Sequence, residues 1–511
     1  MSRLISLVGA LSCGALLHAQ TAAMDAAACE RLAASLDLPN ATVTLAQPVT
    51  SHRFVPPAAP GASAPPAALT DLPAFCRVNV TLTPSSDSDI KSEVWLPLVG
   101  WNGKFQQVGN GGWGGSIQYP ALASALRRGY AAASTDTGHV GDTAQFAVGH
   151  PEKLIDFGYR AVHETAVHGK AIVAAAYATA PRFSYFVGCS GGGRQAFMEA
   201  QRYPQDFDGI VAGAPGYNRT DQSFQLVAAS QATHRDAASF ISREKLAVLH
   251  RAALNACDQR DGLRDGLIGD PMGCKVDVSV TACTGTDGPD CLTTPQVRAA
   301  QAIYGPVVNP RTGEEVFPGV EPGSEPRWTV NAGGARPLGM SDDFFKYVVF
   351  QDPDWDFRTL DVAKHLEQAR KADGGVVSAN SPDIKQFVGR GGKLVIYHGW
   401  GDTNVPPRSS VNYYTRLVET LGASDAGRSV RLYMAPGMGH CGGGEGPNVF
   451  DALTALEHWR EDGKVPADIL ASQFADGRVV RTRPLCPYPQ IARYKGSGSI
   501  DDASNFVCRT P

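Results

Sequence analysis

The 511-residue chain lacks most of what marks a partner of nucleic acid, membrane or nucleotide. Its 46 Lys and Arg residues face 50 Asp and Glu, a formal net charge of -4, so there is no basic excess to neutralise a phosphate backbone. Past Leu17 no apolar run is long enough to span a bilayer. There is no G-K-[ST], and no G-x-G-x-x-G stands at a strand–helix junction, which ranks phosphate binding low. No internal repeat is present, which argues against a solenoid. The cysteines do not cluster at zinc-ligand spacings.

What remains is ordinary globular composition, long enough for more than one core. The start, "MSRLISLVGALSCGALLHAQTAA", has Arg3, an apolar stretch from Leu4 to Leu17 and then small residues. That pattern predicts a secretory signal over residues 1–23, cleaved between Ala19 and Ala23; lipidation at Cys13 is the weaker reading, since "ALSC" is a poor lipoprotein box. The mature chain is then expected outside the cytoplasm, secreted or periplasmic. Ten cysteines lie beyond Cys13, and an even number in an exported chain implies disulfides.

Past a Pro/Ala-rich loop (Val55 to Pro73), "VNVTLT" and "SEVWLPL" read as antiparallel strands. "GKFQQV", "YAAAST", "YFVGC", "GIVAG", "KLVIYHG" and "SVRLYMA" read as further strands, with helical patterns between them, such as Tyr159–Tyr177 and Val411–Leu421. Strands alternating with helices predict an α/β fold with a mostly parallel sheet covered on both faces. Residues from Tyr217 to Ile384 break this rhythm. They read as a loop-rich lid, residues 217–384, inserted into a catalytic domain of residues 24–216 and 385–511. Its aromatics (Trp328, Phe344, Phe345, Tyr347, Phe350, Trp355, Phe357) serve mainly as the lid's own core, or else frame a planar substrate.

"GCSGG", Gly188 to Gly192, fits G-x-S-x-G between a strand and a helix. That is the nucleophile elbow of α/β-hydrolases, where a serine on a sharp turn stands clear of the sheet; a plain β-to-α turn is the alternative. A serine nucleophile needs a base and a carboxylate to orient it, in the order Ser, Asp, His. Asp402 ends "LVIYHGWGD" and His440 ends "LYMAPGMGH", so Ser190, Asp402 and His440 make the candidate triad. His398, Asp136 and His139 are the runners-up, with "STDTGH" preferred as a hydrogen-bonded turn. Oxyanion donors are expected from the N–H of Gly191 and from the loop "GNGGWGG", where Gly112 is the candidate and Gly111 its neighbour.

Cys189 precedes the serine and Cys441 follows the histidine. If Ser190 and His440 touch, those cysteines fall within disulfide range; either could instead pair elsewhere. In "CDQRDGLRDGLIGDP", Asp258, Asp261 and Asp265 alternate with glycines. This reads as a solvated acidic turn or as a site for a hard, oxygen-seeking cation.

Together, "GCSGGGRQA", "YHGWGD", "APGMGHC" and "VVFQDPDWDF" resemble the tannase and feruloyl esterase family over nearly the whole mature chain. The C-terminal "RTRPLCPYPQIARYKGSGSIDDASNFVC" most resembles members that hydrolyse terephthalate monoesters. The resemblance implies an α/β-hydrolase fold and a serine esterase for small esters of aromatic acids, with no nucleic-acid or membrane partner. It implies Ser190 as nucleophile, His440 as base, Asp402 as its orienter, and Gly112 and Gly191 as oxyanion donors. It implies the pairs Cys29–Cys76, Cys189–Cys441, Cys257–Cys274, Cys283–Cys291 and Cys486–Cys508. It also implies structural Ca2+ in the lid, on the Asp258, Asp261 and Asp265 side chains and the Leu263 and Leu267 carbonyls. Feruloyl esters are the first expected substrates, galloyl esters the second and terephthalate monoesters the third. The last needs a lid arginine for the free carboxylate; Arg327, Arg336 and Arg358 are available. A non-catalytic binding module on a hydrolase scaffold is the distant alternative.

Overall fold

The structure, a computed structural model, describes residues 24–58, 64–330 and 338–511. The signal segment 1–23 and Arg336 lie outside the described residues. Nine strands form the central sheet: β1 Ala41–Val49, β2 Phe75–Leu82, β3 Ile90–Pro97, β4 Lys104–Val108, β5 Ala131–Thr135, β6 Phe183–Cys189, β7 Gly209–Gly213, β8 Lys393–Gly399 and β9 Val430–Ala435. Their order is β1-β2-β3-β5-β4-β6-β7-β8-β9. The β1–β2, β2–β3 and β3–β5 pairs are antiparallel; every pair from β5 across to β9 is parallel. This is an α/β-hydrolase sheet.

Parallel neighbours need crossovers, and helices supply them. Tyr119–Arg127 joins β4 to β5, Ala161–Tyr177 leads into β6, Gly191–Arg202 follows β6, and Arg408–Leu421 joins β8 to β9. The strand period of two divides the core. Phe186, Ile210, Ile396 and Leu432 face one helical layer. Tyr185, Val211, Val395 and Tyr433 face the other.

Between β7 and β8 none of the described residues of 217–384 joins the central sheet. This stretch holds more helix than a loop-rich reading expects: Arg219–His234, Arg243–Cys257, Thr294–Tyr304 and Val362–Asp373. Its aromatics pack largely on one another. Phe345 meets Phe224, Phe344, Phe350 and Trp355 with ring centroids 5.0–6.1 Å apart. Trp328 is buried against Tyr304 and donates to Ser324 Oγ.

Five disulfides staple the chain: Cys29–Cys76, Cys189–Cys441, Cys257–Cys274, Cys283–Cys291 and Cys486–Cys508. Among the described residues no helix is long and apolar enough to cross a membrane.

Candidate active site

Ser190 stands between β6 and the helix Gly191–Arg202 with φ 62° and ψ -116°, a conformation that costs a non-glycine residue energy and persists only where its surroundings impose it. Its N–H donates to Gly213 O at 2.9 Å, and its carbonyl accepts from Arg194 N at 3.0 Å and Gly216 N at 3.2 Å. The turn closes only because its flanks are glycine. A Cβ on Gly188 would lie 2.6 Å from the Gly192 backbone, and one on Gly193 would lie 2.4 Å from Gly213 O.

Asp402 follows β8 and is fully buried. Its Oδ2 accepts from His440 Nδ1 at 2.7 Å and from His398 Nε2 at 3.0 Å. Its Oδ1 accepts from the N–H groups of Asn404 and Val405 at 2.8 and 3.0 Å. Burial alone would push this carboxyl up, but the charge and hydrogen bonds of His440 and His398 outweigh it and hold Asp402 well below the usual carboxylate range. At His440 burial opposes the charged form, yet the Asp402 carboxylate wins and moves the imidazole above 6.5. With Nδ1 committed to Asp402, Nε2 is the nitrogen left for a hydroxyl.

His398, a runner-up base, is placed differently from His440. It is completely buried, its Nδ1 meets Ser410 Oγ at 2.7 Å, and its Nε2 also reaches Val405 O at 3.0 Å. Facing two acceptors, Nε2 donates to them. His398 is therefore a second imidazole clamped onto Asp402.

The loop after β4 brings Gly112 to the elbow: a Cβ on Gly191 would sit 3.2 Å from Gly112 N. The backbones of Gly112 and Gly191, the two expected oxyanion donors, are thus packed against each other. Asn110 and Gln195, which the sequence reading did not single out, hold the loop there. Gln195 Oε1 accepts from Asn110 N at 2.9 Å, and Asn110 Nδ2 donates to Ser116 O and Thr135 O at 3.0 and 2.8 Å. Their signal was positional: polar residues just past a strand end and one turn into the elbow helix.

The Cys189–Cys441 bond, with Cα atoms 6.0 Å apart across 252 residues of sequence, ties the residue before Ser190 to the residue after His440. Replacing both cysteines by alanine is expected to cost about 2–5 kcal/mol of stability and to lower kcat about 10- to 100-fold through a looser histidine loop. Thermal melts and ester hydrolysis check this together. A destabilised double variant with unchanged kcat would assign the bond to the fold alone.

The family model described as "Tannase and feruloyl esterase" matches residues 76–509. The chain belongs to the tannase and feruloyl esterase family. An uncharacterised esterase of Xanthomonas campestris pv. campestris is 40% identical over 548 residues, covering 97% of this chain and 93% of that protein. A probable feruloyl esterase B of Aspergillus clavatus is 33% identical over 512 residues, covering 94% and 95%. The crystal structure of feruloyl esterase B from Aspergillus oryzae superposes with a TM-score of 0.88 at 30% identity, covering 95% of this chain and 100% of that one. As a member of the tannase and feruloyl esterase family, this protein is a carboxylic ester hydrolase.

In this esterase the remaining sequence candidates take other places. Asp136 Oδ1 accepts from Lys91 N and Gly138 N at 2.9 and 2.8 Å. His139 Nε2 meets Trp113 O at 2.6 Å, and its ring stacks on Phe146 at 3.8 Å. "STDTGH" is thus a hydrogen-bonded turn. Arg327 pairs with Glu445 and packs into the loops carrying Asp402 and His440. Cβ atoms on Gly401, Gly439 and Gly444 would each come within 3.0 Å of its guanidinium. Arg358 is bound to Asp356 at 2.9 Å, with more than half of its side chain exposed.

The acidic loop carries its carboxylates on backbone N–H groups. Asp258 accepts from Asp265 N and Gly266 N, Asp261 from Leu263 N, and Asp265 from Leu267 N. Arg483 Nη2 lies 2.6 Å from Asp265 Oδ2. Burial, with the charges of Asp265 and Asp258 behind it, pushes Asp261 up to about 6. Asp261, Leu263, Asp265 and Leu267 line a cavity of about 320 Å³. Among the described residues no three acidic, histidine or cysteine side chains already close on one point as a metal cage. Asp258 and Asp265 both act on Asp261 through space, so the three carboxylates share one neighbourhood, and oxygen donors of this kind suit a hard cation.

Proposed function

We propose that this esterase hydrolyses esters of hydroxycinnamic acids, as a feruloyl esterase does, through an acyl-enzyme on Ser190. The observation that carries this reading is the 2.7 Å His440–Asp402 hydrogen bond, tied to the Ser190 turn by the Cys189–Cys441 bond, in a chain whose relatives include feruloyl esterase B. Ser190 Oγ attacks the ester carbonyl carbon as His440 Nε2 takes its proton. The N–H groups of Gly112 and Gly191 receive the oxyanion. The intermediate collapses, and the alcohol leaves with the proton from His440. Water, activated by the same nitrogen, then attacks the acyl carbonyl and releases the acid.

Residues 217–384 act as the lid over this site, and a planar acyl group stacks on those aromatic faces its own core leaves free. The chain works outside the cytoplasm, where its five disulfides persist. Galloyl esters are the second candidates. Terephthalate monoesters rank third, because the two described arginines considered for a free carboxylate, Arg327 and Arg358, already face Glu445 and Asp356. Methyl ferulate, methyl gallate and the terephthalate monoester compared side by side test the order. A kcat/KM highest for ferulate supports it, and a preference for either rival overturns it.

Calcium belongs to the same reading, held by the Asp258, Asp261 and Asp265 carboxylates and the Leu263 and Leu267 carbonyls. When bound, it supplies charge neutralisation in the lid and takes no part in the reaction. Removal with EDTA is expected to lower Tm, with Ca2+ at a hundredfold excess over Kd restoring about 2.7 kcal/mol and Mg2+ restoring far less. A Tm indifferent to EDTA and to Ca2+ would remove calcium from the account.

A further inference from the structure

We propose that Arg219 is a positioning residue of the oxyanion loop whose buried positive charge also favours the transition state; the proposal rests on the triad reading above. Arg219 opens the helix Arg219–His234 and is 1% exposed. Its Nη2 donates to Gly112 O at 3.3 Å, and its guanidinium lies over the Trp113 ring at 5.2 Å from the centroid. It therefore holds both the oxyanion glycine and the residue after it. Its Nε is buried without a partner.

Among the described residues no carboxylate forms an ion pair with it. Asp373 acts on it through space, but its oxygens are taken by Thr220 Oγ1 at 2.8 Å and Val377 N at 2.7 Å. Another buried guanidinium, Arg194, donates to Gly158 O and Phe157 O and repels Arg219. A buried charge without an ion-pair partner is costly, and a strut for one carbonyl needs no charge, since glutamine could donate the same bond. The group that gains from a fixed cation here is the negative charge that develops beside Gly112 when Ser190 attacks.

The same charge reaches the base. The charged groups around His440 are Asp402, which His398 also holds; Arg219; and Arg327, which is paired with Glu445. Asp402 stabilises the imidazolium and Arg219 opposes it. Arg219 thus offsets part of the rise that Asp402 imposes on His440.

The test is the second-order rate of Ser190 phosphonylation by a fluorophosphonate as a function of pH, which needs no knowledge of the natural ester. Arg219→Gln keeps a hydrogen-bond donor and removes the charge. It should label to full stoichiometry but 10- to 100-fold more slowly, with the acid limb of the profile moved to higher pH. Arg219→Lys keeps the charge and should hold the limb in place with a loss below tenfold. A wild-type rate and limb in R219Q would overturn the proposal, as would equal losses in R219Q and R219K with neither limb moved, the mark of a strut. Should R219Q fail to fold, R219K decides: an upward-moved limb in a folded R219K overturns it. Wild type that fails to label at Ser190 would instead overturn the triad reading.

Discussion

Ser190→Ala is expected to abolish ester hydrolysis, lowering kcat by at least about 10⁴-fold while the fold and thermal stability survive. The size follows from the route: without the Oγ no acyl-enzyme forms, and only the binding and oxyanion contributions remain. Stability should hold because Ser190 is fixed by backbone bonds to Gly213, Gly216 and Arg194 rather than by its hydroxyl. Alanine tolerates the φ of 62° no worse than serine does. Single-turnover kinetics on methyl ferulate, paired with a thermal melt, check both halves. Residual activity near wild type would mean that another group attacks the ester.

Asp402→Asn should cost about 10⁴-fold in kcat with little change in KM. Oδ1 already accepts two backbone N–H groups, from Asn404 and Val405, so the asparagine oxygen takes that side. Its NH2 then faces His440 and His398, both of which donate to the native carboxylate. Each imidazole must turn acceptor. For His440 that moves the proton to Nε2, the nitrogen that has to accept from Ser190.

The pH profile carries the same signature. In the proposed route His440 must be neutral to act, and burial, though it opposes the charged form, is outweighed by Asp402, which moves the imidazole above its ordinary value. Activity is therefore expected to fall on the acid side at a higher pH than a free imidazole would set. Without the carboxylate that stabilisation of the imidazolium is gone, so the acid limb of the Asp402→Asn residual rate moves to lower pH. A limb that stays in place would separate Asp402 from the base.

The strands that position Ser190, Asp402 and His440 were legible because each is a short β-rich run closed by glycine or polar residues, and the hydrolase order of the three could be read directly. The helix Arg219–His234 was not legible. Its first turns bury Arg219, Thr220, Asp221, Gln222, Ser223 and Gln225, so the apolar stripe that announces a helix is missing where the helix borders the site rather than a hydrophobic core. His398 was visible as a histidine at the right strand end, but its partners Asp402, Val405 and Ser410 come together only when the chain turns after β8. Arg327 offered no local sign of its place either. Its seat is the space left by three glycines far along the chain, Gly401, Gly439 and Gly444.

The most direct test is to react the purified protein with a fluorophosphonate and map the adduct by peptide mass spectrometry while following methyl ferulate hydrolysis. One adduct per chain is expected, on Ser190, with hydrolysis lost in proportion to labelling. Full activity after Ser190 is modified, or an adduct on another residue that tracks the loss, would contradict it.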